Sequence, residues 1–417
     1  MFLTLKYKLK PSSAQYARLD ELLRDQRRLY NAALQERQEA WKKSGVSISK
    51  LDQNKSLTQI RQFDPTYADV PVALSRWTIT RVDDAMKGFF SRVKRGQKAG
   101  FPRFRSASRW STIGFVEWSG VRLMADRLRF GGLTGDLRLH MHRPIPEGAA
   151  IKCATLTRQG RFWFVCLVVD VPVTSVHDGS AIGLDVGIEH LVTTSDGVHI
   201  PNIRPRRSRE QALRRAQRAL ARCKRGSRRR RQVREKLARL QAAIARQRST
   251  YLHQVSSRLA RAHALIAVED LKLRNMTRSA RGSVDEPGRN VSAKAGLNRA
   301  LLDAAPGRLI DLLIYKAERA GGRVVHVDPR HTSQDCSACG DRVPKALSVR
   351  QHICACGADL HRDHNAAINI LARAQHGERV IPLGDAKPEV ALVCPKMAVA
   401  GPVPRSRKAM GSTPVAG

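Results

Sequence analysis

Three acidic residues occupy positions from which a strand or a helix would present a carboxylate to a cleft. Asp185 ends the apolar run 181–184, and Glu269 ends the run 264–268. Asp363 stands at the start of a predicted helix, where capping is the alternative role for an acid. Three carboxylates can hold two Mg²⁺ ions about 3.5–4 Å apart, one activating water and one stabilising the leaving oxygen. The predicted chemistry is phosphodiester hydrolysis by in-line displacement.

Four of the eight cysteines are crowded into 21 residues, as one C-x-x-C pair and one C-x-C pair: Cys336, Cys339, Cys354 and Cys356. Each pair can clamp one side of a tetrahedral Zn²⁺ ion. Four thiolates close the coordination shell, so the predicted site is structural rather than catalytic. His331, His352 and His361 are the alternative ligands that could replace one cysteine.

The composition favours a nucleic acid as partner. The chain of 417 residues carries 75 Lys+Arg against 36 Asp+Glu, a formal net charge of +39, and 42% of its residues are hydrophobic. Enough apolar side chains are present for real cores, and such a charge suits a polyanionic partner. No apolar run reaches about 18 residues, and no signal-peptide pattern is present, so we expect a soluble, intracellular protein without a membrane partner.

Two basic segments are predicted to contact nucleic acid. In the glycine-rich loop 92–105, basic residues alternate with phenylalanines, which suits phosphate contacts and base stacking; a solvated linker with buried phenylalanines is the alternative. In 204–234, 15 of 31 residues are Lys or Arg, on a helical hairpin that turns at 226–227. A solvated face or a nuclear-localisation signal would be the competing interpretation. The candidate contact residues are Lys94, Arg95, Lys98, Phe101, Arg103, Phe104, Arg105, Arg214, Arg218, Arg228, Arg229, Arg230 and Arg231.

The N-terminal half contains helices flanked by strands. Residues 2–9 alternate as a half-buried strand, and a helix follows to about residue 43, with Ser12 and Gln15 spaced as a capping box. A polar stretch with Pro65 and Pro71 precedes a second helix around 79–93. Between 110 and 170 the period shortens to two, which predicts a small β-barrel or sheet that the first strand could complete.

The C-terminal half alternates strands and helices. Strands are predicted at 181–185, 190–195, 264–268 and 323–327, with a helix at 300–320, a mobile loop at 277–296 and the basic hairpin between them. After residue 373 the periodicity is lost, so the tail is predicted to be disordered.

Several motifs together resemble the TnpB family, the OrfB-type proteins of bacterial insertion sequences that are related to type V CRISPR effectors. They are Gly-Leu-Asp-Val-Gly at 183–187, Val-Glu-Asp-Leu at 268–271, Lys-Ala-Glu-Arg-Ala-Gly-Gly at 316–322, Thr-Ser-Gln-Asp-Cys-Ser-Ala-Cys-Gly at 332–340, Asp-His-Asn-Ala-Ala at 363–367 and Gly-Phe-Pro-Arg-Phe at 100–104. The resemblance extends over nearly the whole chain up to about residue 373.

The resemblance implies a multidomain α/β fold. Its parts would be a wedge domain with an OB-like β-barrel (1–10 and 106–175), a helical recognition domain inserted in it (11–105), a RuvC nuclease domain with an RNase H-like fold (176–330 and 362–373), a zinc-binding insertion (331–361) and a disordered tail (374–417). Asp185, Glu269 and Asp363 fall on the family's metal-binding acids. His361 departs from the family, which usually has Asp there.

The resemblance also implies a function. We expect an RNA-guided DNA endonuclease that binds one guide RNA from its own element and cleaves complementary double-stranded DNA beside a short motif. It would use two Mg²⁺ ions, replaceable by Mn²⁺, and one structural Zn²⁺, in the bacterial cytoplasm near the nucleoid. The alternatives are a compact type V CRISPR effector, a guided repressor that does not cut, and an unguided RuvC-like resolvase. Retention of all three acids argues against the repressor.

Overall fold

The computed structural model describes residues 2–172, 177–283, 285–346, 348–377 and the two-residue strand 380–381. These residues form two compact units, 2–172 and 177–381. Most of the tail predicted to be disordered lies outside the described residues, although positions 374 and 375 still belong to a helix.

The first unit begins with a strand and four helices. Ser12 and Gln15 form the predicted capping box at the start of the long first helix. A second box, Ser49 with Asp52, begins a helix that our sequence reading missed, because its buried face is narrow and the segment is largely polar. The elements are β1 (Phe2–Lys10), α1 (Ser13–Ser44), α2 (Lys50–Phe63), α3 (Pro65–Ala68) and α4 (Val72–Lys94).

A seven-stranded sheet completes this unit, in the order β2-β6-β7-β1-β5-β4-β3. Strand β1 lies in the middle, antiparallel to both neighbours, so the helices come between the central strand and the rest of the sheet along the chain. The end strands do not pair with each other in the described part of the chain, so the sheet is a curled half-barrel rather than a closed barrel. The remaining strands are β2 (Thr112–Phe115), β3 (Val121–Met124), β4 (Arg127–Phe130), β5 (Leu137–His140), β6 (Ala150–Gln159) and β7 (Phe162–Asp170).

The second unit alternates strands and helices. Its elements are β8 (Ser180–Asp185), β9 (His190–Thr194), β10 (His199–Pro201), α5 (Glu210–Arg222), α6 (Arg228–Ala262), β11 (His263–Glu269), α7 (Leu273–Met276), α8 (Val291–Ala304), α9 (Pro306–Arg319), β12 (Arg323–Val327), β13 (Gln351–Ile353), β14 (Asp359–His361), α10 (Arg362–Gln375) and β15 (Val380–Ile381). Strands β13 and β14 form a separate hairpin.

The main sheet of this unit has the order β10-β9-β8-β11-β12-β15, with β8, β11 and β12 parallel. One face is covered by the apolar sides of α6 and α9, and by the end of α8. The other face packs against α10 through a small core of Ala267, Val327 and Ile370. Burial on both faces explains why β8 and β11 have continuous apolar sequences.

The segment 277–296 differs from the mobile loop that we predicted. Its second part is the first turn and a half of α8, and Lys294 and Asn298 of that helix donate hydrogen bonds to the carbonyls of Met276 and Thr277, at 2.7 and 3.0 Å. The helix predicted at 300–320 is in fact two helices, because Pro306 begins a new one after Ala305 adopts a left-handed conformation.

No helix within the described ranges is long and apolar enough to span a membrane.

Candidate nuclease site

Asp185 and Glu269 lie side by side at one edge of the second sheet. Strands β8 and β11 run parallel with Leu184 opposite Val268, so the next residue on each strand is one of the two acids. Because parallel strands end at the same edge of a sheet, the two carboxylates are delivered to the same place.

Helix α10 brings Asp363 to this edge. The helix crosses β8 at Gly183, where a Cβ atom would lie 2.1 Å from the carbonyl oxygen of Ala367 and 2.8 Å from the nitrogen of Leu371. No side chain fits in that space, so glycine permits the close approach. Asp363 lies in the first turn of the helix and is half-buried, like the other two acids.

Electrostatics shows that the acids are close enough to influence one another. Burial, followed by the negative charges of Glu269 and Asp363, raises the pKa of Asp185 well above its ordinary value. Burial also raises the pKa of Glu269, although a hydrogen bond from the Thr332 hydroxyl, at 2.5 Å, opposes that effect. The cluster therefore concentrates negative charge that a cation would relieve.

The donor atoms suit a hard divalent cation. All three side chains offer carboxylate oxygens, the ligands that Mg²⁺ and Mn²⁺ prefer. Among the described residues, only the four cysteines form a set of three or more candidate ligands whose atoms all lie within 4.8 Å. In the described residues the oxygen atoms of the three acids therefore do not all lie within that distance of one another.

His361 explains why Asp363 is free to act as a ligand. Nδ1 of His361 accepts a hydrogen bond from the backbone N–H of Asp363 at 3.2 Å, so His361 is the N-cap of α10. An Asp at this position could cap the helix equally well. Capping, the alternative role that the sequence left open for Asp363, is thus performed by the residue two positions earlier.

His361 also belongs to a histidine cluster beside the acids. Its ring centroid lies 5.0 Å from that of His199, which in turn lies 4.4 Å from that of His190. Burial and the neighbouring imidazoles of His190 and His361 lower the pKa of His199. Its Nδ1 pairs with the Thr193 hydroxyl at 3.0 Å.

Arg350 is a site residue that the sequence reading missed. Its Nη1 lies 3.9 Å from Oδ1 of Asp363, and its Nε lies 3.2 Å from Oε2 of Glu189. It immediately precedes β13, and its carbonyl accepts a hydrogen bond from the N–H of Arg362 at 2.7 Å. Arg350 thus places a positive charge from the cysteine-bearing segment beside the acids. No spacing in the sequence marks it among the other arginines.

The four predicted cysteines converge. Sγ of Cys336 lies 3.7 Å from that of Cys356, and Sγ of Cys339 lies 3.6 Å from that of Cys354. A zinc–sulfur bond of about 2.3 Å puts two corners of a tetrahedron about 3.8 Å apart, so the sulfurs fit a Zn²⁺ ion. The alternative ligand His361 is engaged as the cap of α10.

Glycines shape both cysteine turns. Gly340 and Gly357 directly follow the second cysteine of each pair and have positive φ angles of 84° and 89°. Their N–H groups return to the carbonyls of Cys336 and Cys354 at 2.9 and 3.0 Å. Burial raises the pKa of the Cys336 thiol, but hydrogen bonds from the N–H groups of Cys339 and Ala338, together with those to His352 and Cys356, lower it to about 6. Despite a hydrogen bond from the N–H of Asp341, burial and the adjoining thiols raise the pKa of Cys339, so Cys336 is the one of these two that more readily forms the thiolate that binds a metal.

The predicted hairpin of 204–234 is formed by α5 and α6. Arg218, Arg228, Arg229 and Arg231 are exposed, and their side chains form no hydrogen bond or ion pair with other described residues. Arg214 is exposed but pairs with Glu210 at 2.8 Å. Arg230 differs, because its Nη1 donates to the carbonyls of Leu220 and Cys223 at 2.8 and 3.1 Å and so ties the turn to the end of α5.

The candidate residues at 94–105 are mostly exposed as well. Phe104 is 51% exposed, whereas Phe101 packs its edge against Phe89 at 5.2 Å. Lys94, Lys98 and Arg103 are exposed, and Arg95 bonds to Ser91 on its own helix. Asn31 fixes both backbone groups of Arg105, and the Arg105 guanidinium lies over Tyr30, so Arg105 has a structural role at the end of this loop.

Three family models match the chain. The OrfB_IS605 model, described as "Probable transposase", matches residues 164–280. The "Cas12f1-like, TNB domain" model matches 307–370, which includes the four cysteines. A "Helix-turn-helix domain" model of the OrfB type matches 1–45, where this chain has β1 and the single helix α1.

Curated relatives match along almost the whole length. The chain is 32% identical to the Escherichia coli (strain K12) protein named "Putative RNA-guided DNA endonuclease InsQ", over 91% of this chain and 93% of that protein. It is 31% identical to a Streptomyces pristinaespiralis protein named "Putative RNA-guided DNA endonuclease", over 88% of each.

A solved structure shares the fold. The Cas12f1 chain in a Cas12f1–sgRNA–target DNA complex superposes with a TM-score of 0.51 at 14% identity, over 85% of this chain and 82% of that one. The full-length match to InsQ and the OrfB-type family models agree with the motifs in the sequence. This chain is therefore a member of the TnpB family, and it is related to Cas12f.

Proposed function

We propose that this protein is an RNA-guided DNA endonuclease of an insertion sequence. The observation that carries the proposal is the convergence of Asp185, Glu269 and Asp363 at the edge of an α/β sheet, in a chain whose full-length relatives are named as such enzymes. A guide RNA would supply sequence recognition, and target double-stranded DNA would be cut beside a short motif. One protein would act with each guide RNA.

We assign the parts of the chain accordingly. Residues 1–10 and 106–175 would be a wedge domain, with 11–105 as a helical recognition domain inserted in it. Residues 176–330 and 362–373 would be a RuvC-type nuclease domain, and 331–361 a zinc-binding insertion. The parallel strands β8, β11 and β12, with α10 across one face, support the RNase H-like assignment.

The three acids would hold two Mg²⁺ ions, with Mn²⁺ as a substitute. When bound, such ions activate a water molecule and stabilise the leaving oxygen of a phosphodiester. The protein itself holds the carboxylates at one edge of the sheet. It also caps α10 with His361, so Asp363 is not needed as the cap. Arg350 adds a positive charge near Asp363, where a phosphate oxygen of the substrate could bind.

The basic surfaces would hold nucleic acid by its backbone. The exposed arginines of the α5–α6 hairpin have few acidic partners, so their charge remains available to phosphates. Phe104 offers an exposed ring near Lys98 and Arg103 for stacking on an unpaired base.

Identification of the RNA that co-purifies with the protein tests the proposal directly. We expect one RNA species encoded next to the gene, and we expect purified protein to cut plasmid DNA that matches the variable end of that RNA. A scrambled target is the control. Random cellular RNA, or cleavage that ignores the match between RNA and target, would reject guided cleavage.

Divalent-ion binding should depend on pH. Because the pKa values of Asp185 and Glu269 are raised in the metal-free protein, protons must leave before an ion can bind. As the pH is lowered from 8 toward the ordinary carboxyl range near 4, the Mn²⁺ concentration needed for half of the full rise in Tm should increase, by up to about tenfold per pH unit for each proton displaced. A midpoint that stays constant over this whole range would contradict this expectation.

The same pKa shifts contribute to the pH dependence of the stability of the metal-free fold. The folded chain retains protons that the unfolded chain releases near pH 4, so this contribution weakens the fold as pH rises above that value. Asp185→Asn should remove part of this pH dependence and most of the Mn²⁺-induced rise in Tm. Asp196→Asn, which alters an exposed acid in the β9–β10 turn, should leave both unchanged.

Removal of unpaired charges from the hairpin should weaken RNA binding without unfolding it. For the triple variant Arg228→Gln, Arg229→Gln and Arg231→Gln, the slope of log K against log salt should become shallower by about 2–3 in magnitude, about 0.7–0.9 per lost phosphate contact. Its Tm should equal that of the wild type. Arg230→Gln is the contrasting variant, because it should lower Tm while changing the slope by at most about 1. An unchanged slope in the triple variant would exclude the hairpin from the RNA interface.

A further inference from the structure

A row of polar side chains on α10 clamps the segment that leads into the cysteine site. Asn365, Asn369 and Arg373 are four residues apart, so they lie on one side of the helix. Together they bond five groups in the segment 328–337, namely the carbonyls of Asp328, Arg330, Thr332 and Asp335 and the N–H of Ser337, at 2.7–2.9 Å. Arg373 adds an ion pair with the Asp335 carboxylate at 2.9 Å.

Thr332 lies in the middle of this clamped segment, beside Glu269. It is 4% exposed, and its carbonyl accepts a hydrogen bond from Nδ2 of Asn369 at 2.8 Å. Its hydroxyl lies 2.5 Å from Oε1 of Glu269 and 3.2 Å from the carbonyl of Pro329. An ionised carboxylate accepts hydrogen bonds only, so the single hydroxyl proton is donated to Glu269.

We propose that Thr332 is a positioning residue for Glu269, and that the segment leading into the cysteine site thereby sets the geometry of the nuclease acids. The hydroxyl donates a hydrogen bond to Oε1, so Oε2 of the same carboxylate would remain available to a divalent ion. Asn369 holds Thr332 in place, so the strand-end acid, the helix and the segment 328–337 act as one rigid support. This inference rests on the proposed nuclease function.

The physical reason is the freedom of the glutamate side chain. A half-buried Glu has several rotamers, and only some of them aim an oxygen at the site shared with Asp185. Partners that orient a metal ligand change metal affinity or activity by about 10–100-fold when they are removed. A purely structural role for the Thr332 hydroxyl would instead change the melting temperature and leave the affinity for the ion unaltered.

Two variants of the full-length, zinc-loaded protein separate these roles. Thr332→Val keeps the shape of the side chain and removes the donor, whereas Thr332→Ser keeps the donor. Mn²⁺ binding is measured by EPR titration, with Asp185→Ala defining the signal that belongs to the acids. We expect about tenfold weaker binding for Thr332→Val and binding within about twofold of the wild type for Thr332→Ser.

Cleavage provides the second measurement. The Mn²⁺ concentration for half-maximal cleavage should rise by the same factor in Thr332→Val and stay near the wild-type value in Thr332→Ser. Thr277→Val is the matched control, because that hydroxyl bonds to the carbonyl of Leu273 within its own helical turn. Wild-type affinity in Thr332→Val, or equal losses in Val and Ser, would overturn the assignment of Thr332. Wild-type protein with no signal dependent on Asp185 and no cleavage would instead reject the nuclease proposal itself.

Discussion

Asp185→Ala is expected to abolish DNA cleavage while leaving RNA-dependent target binding intact. Asp185 lies close to both other acids: it is adjacent to Glu269 across the parallel strands, and its pKa responds to the charges of both Glu269 and Asp363. A ligand in this position would be shared by both ions of a two-metal site. Its loss should therefore lower the cleavage rate by much more than the loss of about 100-fold that follows removal of a partner that only orients a metal ligand.

Binding should survive because the acids are not part of the surfaces that would hold the guide. The exposed arginines of the hairpin and the basic loop are unchanged in this variant. Cleavage is measured with plasmid DNA, and binding with a labelled target under the same Mg²⁺ concentration. Asp196→Ala serves as the matched control and should cut at the wild-type rate. Cleavage by Asp185→Ala at a rate comparable to that of the wild type would refute the assignment of the acids.

The positions of the acids could be predicted because the signal for each is local. An apolar run that ends in one acid predicts a buried strand with a carboxylate at its end, and both Asp185 and Glu269 follow such runs. The helix that starts near Asp363 is marked by its periodicity. Burial of the sheet on both faces then leaves the strand ends as the place where polar groups can meet.

The residues that support the acids could not be predicted, since their roles depend on distant contacts. Thr332 and Arg350 reach the acids only because the segment 328–361 folds back over the start of α10. His361 was noted as a departure from the family at a site position, and its function as a helix cap follows from a backbone contact that histidine rarely makes. Rules based on local sequence patterns do not describe any of these three contacts.

For the basic residues too, the sequence marks the segments but not the contacts that each side chain makes. The density of charge predicted two nucleic-acid-binding segments, and most of their residues are exposed, but it could not separate the arginines without a hydrogen-bond partner from those that hold the fold together. Arg230 and Arg105 belong to the second kind, because their side chains are engaged with a helix end and with Tyr30. Whether an arginine stabilises the fold or is available to bind nucleic acid becomes clear only from the contacts of its guanidinium group.

Loss of zinc is expected to have the largest effect on stability. Four sulfurs converge where little apolar surface is available, since Cys339 and Cys356 are exposed and the segment around them has only the short hairpin β13–β14. Metal binding by four thiolates contributes about 10–16 kcal/mol in small zinc domains, so the ion would supply most of the local folding energy. Cys336→Ser, which removes a buried ligand, should lower Tm by more than about 5 °C, at about 2–4 °C per kcal/mol.

The consequences should reach the acids, because Arg350 and Thr332 both lie on the segment that the cysteines fold. We therefore expect Cys336→Ser, and wild-type protein treated with a zinc chelator and returned to Mg²⁺ buffer, to lose cleavage together with stability. Cys223→Ser alters a cysteine in the hairpin turn and should melt like the wild type with one zinc ion per chain by elemental analysis. A melting curve unchanged by Cys336→Ser would exclude a structural metal. A lower Tm with full cleavage would instead show that the acids keep their geometry without the cysteine site, since stability and catalysis would then be separable.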